Sequence, residues 1–124
     1  MAKSRNQSAN DPLLEFCRSL AGVTEDVKWD NDLVFSVGKK MFVVFGLPDH
    51  EPIGLKVDPA LFSTITQQEG IRPAPYMAHH SWVQVTTRKA LPDEVLTDMI
   101  RESYELVTQK LSKKLRAQLG LTIG

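Results

Sequence analysis

Two short hydrophobic runs separated by a basic turn constrain the fold of this chain more than any other feature. Residues 32–37 and 41–45 are both rich in strand-forming side chains, and a glycine with two lysines, Gly38 to Lys40, lies between them. This pattern predicts a β-hairpin with lysines at its tip. A third alternating run at 53–57 follows a proline-containing loop. Consecutive strands with such short connections indicate an antiparallel sheet.

Helix signals surround these strands. Asp11 and Asp58 are each followed by proline, which combines a capping side chain with a residue suited to the first helical turn. The longest helix is expected to open at Pro92, and another strand is expected at 81–87, after an irregular or edge segment at 72–77. The predicted order is helix, three strands, helix, one or two strands, helix. It corresponds to an α+β two-layer sandwich with helices packed on an antiparallel sheet of about five strands.

Length and composition predict a single domain. The 124 residues are 42% hydrophobic and 24% charged, which is ordinary for a globular protein. We expect a disordered tail at 1–10, one domain at 11–119 and a short tail at 120–124. No apolar run is long enough to span a membrane, and residues 1–10 lack the apolar core of a secretory signal. The single cysteine, Cys17, cannot form an internal disulfide, which favours a cytoplasmic location.

Charge is balanced overall but unevenly distributed. Residues 1–70 contain 7 basic and 10 acidic groups, whereas residues 71–124 contain 8 basic and 5 acidic groups. A net charge of zero argues against non-specific coating of nucleic acid. The basic C-terminal part can be a solvated helix end, where cations favour the helix dipole, or an anion-binding pole.

The order of several local strings resembles the YjbR/MmcQ family of small bacterial proteins. The strings extend over most of the chain, from about Asp11 to Arg116. They are Val27-Lys28-Trp29, the hairpin Leu33–Phe45, Lys56-Val57-Asp58-Pro59, Pro75-Tyr76-Met77 before Trp82-Val83, and Leu91-Pro92-Asp93-Glu94 leading to Ser103-Tyr104-Glu105-Leu106-Val107 and Lys113-Lys114.

This resemblance implies a fold similar to the frataxin-like and secretion-chaperone-like α+β sandwiches. It also implies a DNA-binding role in which two β-hairpin wings grip a duplex. On this hypothesis, lysines and arginines contact phosphates, which gives affinity without reading sequence. The candidate nucleic-acid-binding residues are Lys39, Lys40, Arg88, Lys89, Lys113 and Lys114. For the hairpin tip, a solubilising turn is the alternative interpretation.

Trp82 indicates a second kind of function. Because strand side chains alternate, Trp82 should lie opposite Val83 and Val85, and Phe42 and Lys56 are expected on the same face as Trp82. If this face is open, it would suit a protein or peptide partner, a second subunit or a stacked base. The alternative is that Trp82 faces the helices or is covered by the N-terminal segment, since tryptophan is usually well buried.

No catalytic or metal-binding pattern stands out, and no cofactor is expected. Cys17 lies on the apolar stripe of the first helix, and Ser103 lies within the stripe of the last. His79 and His80 are adjacent, so in an extended segment their rings would point to opposite faces. The sequence therefore predicts a non-catalytic binding domain whose partner is duplex DNA or, alternatively, a protein or a second copy of the chain.

Overall fold

A computed structural model describes residues 11–121 and contains the predicted hairpin. The elements in chain order are α1 (Pro12–Ser19), β1 (Val23–Lys28), β2 (Asp32–Val37), β3 (Lys40–Gly46), β4 (Ile53–Lys56), α2 (Phe62–Thr66), β5 (Ile71–Pro73), β6 (Trp82–Val85), α3 (Asp93–Gln109) and α4 (Lys113–Gln118). Short 3-10 turns precede α2, β6 and α3 at Pro59–Leu61, Ala78–His80 and Arg88–Ala90. The tail predicted at 1–10 lies outside the described residues.

The six strands form one antiparallel sheet in the order β1-β2-β3-β4-β6-β5. This confirms the α+β class, with one strand more than the sequence predicts. The additional strand is β1, whose sequence VTEDVK is mostly exposed and carries little hydrophobic alternation. The segment predicted as an edge, 72–77, overlaps β5, the outer strand beside β6, and Pro73 is tolerated there because an edge strand has unpaired amides.

The helices begin where capping side chains satisfy free amides. Asp11 Oδ1 accepts a hydrogen bond from Leu13 N at 3.0 Å, and Asp58 Oδ1 accepts one from Ala60 N at 2.9 Å. Ser112 caps α4 in the same way, which separates this helix from α3. None of the helices within residues 11–121 is long and apolar enough to cross a membrane.

All four helices pack on one face of the sheet, which we call the helix face. Its strand residues include Phe35, Val43, Leu55 and Val83, which meet apolar residues of the helices in a single core cluster. Val34 and Trp82 are buried but do not belong to this cluster. They lie on the opposite side of the sheet, which no described helix covers and which we call the open face.

A β-bulge changes the alternation of β3. Phe35 pairs with Val43, but the next residue of β2, Ser36, pairs with Met41, so Phe42 is the additional residue. Both Phe42 and Val43 are fully buried in the helix-face core. The ring of Phe42 packs edge-on against Tyr104 of α3, with ring centroids 5.3 Å apart. The prediction that Phe42 shares a face with Trp82 is therefore wrong.

Candidate functional site

Lysines from three separate segments meet at one end of the sheet, around a cavity of about 490 Å³. Lys39 and Lys40 come from the β2–β3 turn, Lys56 ends β4, and Lys110 follows α3. The rest of the lining consists of Met41, Met77, His80, Trp82 and Val107. We call this site the lysine pocket. It brings together two predicted nucleic-acid contacts, Lys39 and Lys40, with Lys56, which the sequence assigned to the partner face.

The β2–β3 turn positions the first two lysines. Gly38 and Lys39 both have positive φ, at 58° and 68°, between the paired residues Val37 and Lys40. A two-residue turn with both central residues in this region matches the twist of the flanking strands and gives a tight hairpin. The turn thus directs Lys39 and Lys40 to the rim of the pocket.

The pocket is strongly positive and lacks a compensating acid. No carboxylate in residues 11–121 lines it or forms an ion pair with Lys39, Lys40, Lys56 or Lys110. Lys56 Nζ donates to the carbonyl oxygen of His80 at 2.7 Å, which leaves two of its three donor hydrogens for another acceptor. Burial lowers the pKa of Lys56, and the nearby charge of Lys110 lowers it further. An anion would relieve this repulsion.

An apolar groove of about 320 Å³ continues from the pocket along the open face. Met41, Met77 and Trp82 line both spaces, so the two adjoin each other. The other lining residues are Trp29, Asp32, Val44, Pro52, Gly54, Ala74, Pro75, Tyr76 and Gln84. We call this space the aromatic groove. Trp82 pairs with Lys56 across the strands and is only 5% exposed. The expected position of Trp82 opposite Val83 and Val85 is confirmed.

Two further aromatic residues were not predicted from the sequence as site residues. Trp29 lies in the β1–β2 turn with 64% of its surface exposed, and Tyr76 lies in the loop before β6 with 97% exposed. Both have positive φ, at 52° and 66°. A sequence signal existed for each, because Asp30 and Asn31 mark a turn after Trp29, and Pro75 places Tyr76 in a loop.

The second predicted wing tip is not a hairpin. Arg88 and Lys89 form a 3-10 turn that leads from β6 to α3, near the sheet end where Phe45, Ile53 and Val85 are paired. The lysine pocket lies at the other end. The guanidinium of Arg88 binds the carboxylate of Asp11 through two hydrogen bonds, of 2.6 and 3.1 Å. The structure therefore does not bring Arg88 and Lys89 together with Lys39 and Lys40.

Lys113 and Lys114 lie at the same end of the sheet as the pocket but do not line it. They stand between Leu111 and Leu115, and a Cβ built at Gly38 would lie 2.9 Å from both Cδ atoms of Leu111 and 3.3 Å from Leu115 Cδ2. Both lysines are exposed at the start of α4. They extend the positive region beyond the pocket.

The histidines do not lie on opposite faces, because residues 78–80 form a 3-10 turn rather than an extended segment. The ring centroids of His79 and His80 are 3.9 Å apart, which corrects the expectation from strand geometry. Within residues 11–121 no three potential metal ligands of the His, Cys, Asp or Glu types are grouped.

The two candidate nucleophiles are both buried among packing contacts. Cys17 is fully buried in the core, and burial raises the pKa of its thiol to about 12. Ser103 Oγ donates to the carbonyl oxygen of Phe42 at 2.6 Å and accepts from Lys56 N at 3.0 Å. The hydroxyl thus links α3 to two strands of the sheet.

Comparison with known proteins identifies the family. The family model YjbR matches residues 18–106. The crystal structure of DR2400 from Deinococcus radiodurans, described by the family-model domain DUF419, is 33% identical, with a TM-score of 0.80 over 90% of this chain and 88% of that one. A Pseudomonas syringae protein is similar in fold, at 20% identity and a TM-score of 0.62 over 78% of this chain and 97% of that one. No protein with a curated description matches the sequence. The chain belongs to the YjbR family.

Proposed function

We propose that this protein is a non-catalytic DNA-binding domain that contacts phosphates through the lysine pocket. The observation that carries the proposal is the convergence of Lys39, Lys40, Lys56 and Lys110 around one cavity. Lysine ammonium groups bind phosphate oxygens as point charges, so such a site would give affinity with little base-specific readout.

Local rather than net charge supports this interaction. The whole chain has 15 basic and 15 acidic residues. A protein surface with no overall field still attracts a polyanion where like charges are concentrated, within about 8–10 Å at ordinary ionic strength. Lys113 and Lys114, exposed at the same end, extend this region along a bound strand. We therefore expect binding that is moderate in strength and sensitive to salt.

The proposal revises the two-wing interpretation. The β2–β3 hairpin remains one wing, but its partners are Lys56 and Lys110 rather than Arg88 and Lys89. Arg88 forms an ion pair with Asp11, and breaking that pair would leave a buried carboxylate without its cation. We propose a cytoplasmic location, where an intracellular protein with one buried thiol would meet DNA.

Fluorescence anisotropy tests the proposal directly. A labelled 12-base DNA of mixed sequence, both as duplex and as single strand, would be titrated with the protein at several salt concentrations. Four phosphate contacts predict a slope of log K against log salt of about −3 to −4. Replacing Lys39 and Lys40 together by alanine should reduce the magnitude of the slope by about 1.5 and should weaken binding to unrelated DNA sequences equally.

A charge-matched comparison separates the pocket from general basicity. Lys40→Ala and Lys89→Ala each remove one exposed positive charge, but only Lys40 lines the pocket. Weaker binding for Lys40→Ala and unchanged binding for Lys89→Ala would support the assignment. Equal effects of the two substitutions, or no binding by either form of the DNA at low salt, would overturn it.

A further inference from the structure

We propose that the aromatic groove binds one unpaired nucleobase of a single-stranded nucleic acid while the lysine pocket holds an adjoining phosphate. This inference rests on the proposed function and specifies its substrate class. The groove is apolar and the pocket is positive, and they share Met41, Met77 and Trp82. A nucleotide has the complementary arrangement of a flat apolar base joined to an anion.

The exposed aromatic residues at the groove are not explained by folding. Trp29 and Tyr76 are 64% and 97% exposed, so burial contributes little to their placement. Their positive φ values, 52° and 66°, are uncommon for bulky side chains, and such backbone conformations are strained. Glycine or asparagine would relieve that strain in either turn. Large rings held against a conformational cost at the mouth of a groove indicate a stacking surface for a ligand.

The floor of the groove has a glycine at its centre, and the lack of a side chain there leaves room for a ring. Gly54 lies in the centre of the open face between Val44 and Gln84, its neighbours across the strands. A Cβ built at Gly54 would lie 3.8 Å from two ring atoms of Trp82 and 3.9 Å from Val44 Cβ. These are ordinary contact distances, so one methyl group fits, whereas a larger side chain would occupy the groove itself.

The spacing along the sheet allows one nucleotide to reach both sites. Lys56 and Gly54 are two residues apart on β4, or about 7 Å along the strand.

Asp32 and Gln84 are the polar side chains of the groove, and the oxygen of Gln84 accepts from Arg72. Gln84 lies beside Gly54, and because its oxygen already accepts two hydrogen bonds from Arg72, its amide NH2 remains to donate to the edge of a base stacked over Gly54.

Stacking of this kind selects an unpaired base. In a duplex, each base has both faces covered by its neighbours and its pairing edge occupied, so it cannot lie against an aromatic side chain without leaving the stack. Single strands expose these faces, and aromatic side chains bind them with little sequence preference. We therefore expect the protein to prefer single strands to duplexes of equal length.

The test compares three labelled probes by anisotropy at fixed salt: a 12-base oligothymidine strand, an abasic sugar-phosphate strand of the same length and a 12-base-pair duplex. We expect the thymidine strand to bind about tenfold more tightly than the abasic strand. It should also quench the emission of the two tryptophans, Trp29 and Trp82, which the abasic strand should not.

Variants locate the effect in the groove. Trp29→Ala, Tyr76→Ala and Gly54→Val should each remove most of the advantage of the thymidine strand while leaving abasic-strand binding within about twofold. Leu61→Ala is the control, since Leu61 is also exposed, at 49%, but lies outside the groove. Urea midpoints for all four variants would confirm that they are folded.

The outcomes separate this inference from the proposed function. Equal, salt-dependent binding of the thymidine and abasic strands would overturn the base-stacking inference and leave the lysine pocket as a phosphate site. Absence of binding by all three probes at low salt would overturn both. A dimer in size-exclusion chromatography that Trp29→Ala converts to a monomer would assign the groove to self-association and would also overturn the inference.

Discussion

Arg88 binds Asp11 through both terminal nitrogens of its guanidinium: Nη1 donates to Oδ2 at 2.6 Å and Nη2 donates to Oδ1 at 3.1 Å. The same carboxylate caps α1 by accepting from Leu13 N, and Nδ1 of His50 lies 2.7 Å from its Oδ2. One buried acid therefore joins the first helix, the β3–β4 loop and the segment before α3.

We expect Arg88→Ala to lower the free energy of unfolding by about 2–3 kcal/mol, measured by urea denaturation. Removing the cation leaves Asp11, which is 8% exposed, buried with its charge poorly compensated. Arg18→Ala is the matched control, since Arg18 binds Glu25 at 2.7 Å but on the surface, where such a pair contributes below about 1 kcal/mol. Similar losses in the two variants would contradict the structural role of the Asp11 pair.

The contribution of this pair should depend on pH in a defined direction. Burial would raise the pKa of Asp11, but hydrogen bonds from Arg88 and His50 outweigh it and hold that pKa below its usual range. Because the pKa of Asp11 is lower in the folded than in the unfolded protein, its ionised carboxylate stabilises the fold. This stabilisation is complete at pH values above the unfolded-state pKa, about 3.9, and is lost as the pH falls through the folded-state pKa. The stability difference between wild type and Arg88→Ala should therefore be largest at neutral pH and shrink on acidification, because Asp11, still buried but without its cation, is protonated at a higher pH in the variant than in the wild type. A difference that grows on acidification would exclude this explanation.

Ser103→Ala should destabilise the protein by about 1–3 kcal/mol, because it removes both hydrogen bonds of a fully buried hydroxyl. The carbonyl of Phe42 and the amide of Lys56 would each lose the partner that the hydroxyl supplies. Thr108→Ala is the comparison on the same helix, since that hydroxyl bonds only to the carbonyl of Glu105 near the surface. Thermal or urea unfolding of both variants measures the difference, and a Ser103 effect no larger than that of Thr108 would contradict the prediction.

Cys17 should resist thiol reagents while the protein is folded. Its pKa of about 12 leaves almost no thiolate at pH 8, and its side chain is fully buried. Labelling with Ellman's reagent should therefore be slow in buffer and rapid in denaturing urea. Fast labelling under native conditions would show that α1 opens readily or that the thiol lies in another environment.

Sequence patterns predicted the elements whose signals are local. Asp11 and Asp58 cap as expected, and the hairpin around Gly38 forms where its turn chemistry requires. The strand β1 was missed because a polar strand pairs through its backbone, which composition does not reveal. Arg88 was misjudged for a related reason, since its partner Asp11 lies 77 residues away in the sequence.

The candidate site was only partly predictable. Lys39 and Lys40 were identified by their turn. Lys110 lines the pocket because of how α3 packs on the sheet, which the sequence does not reveal. Trp29 and Tyr76 carry no periodic signal, because they lie in turns, and their shared groove depends on how β1 and the loop before β6 are placed. Strict alternation assigned Phe42 to the wrong face because a one-residue bulge cannot be detected from hydrophobicity alone.

That bulge determines which face of the sheet each side chain near the hairpin tip occupies. If Phe42 instead took a regular place in the ladder, opposite Ser36, it would lie on the open face, and every residue of β3 before it would change faces. Met41 would then leave the groove for the core, and Lys40 would turn with it. The direction in which Lys39 and Lys40 point thus depends on how the strand accommodates Phe42, two to three residues away.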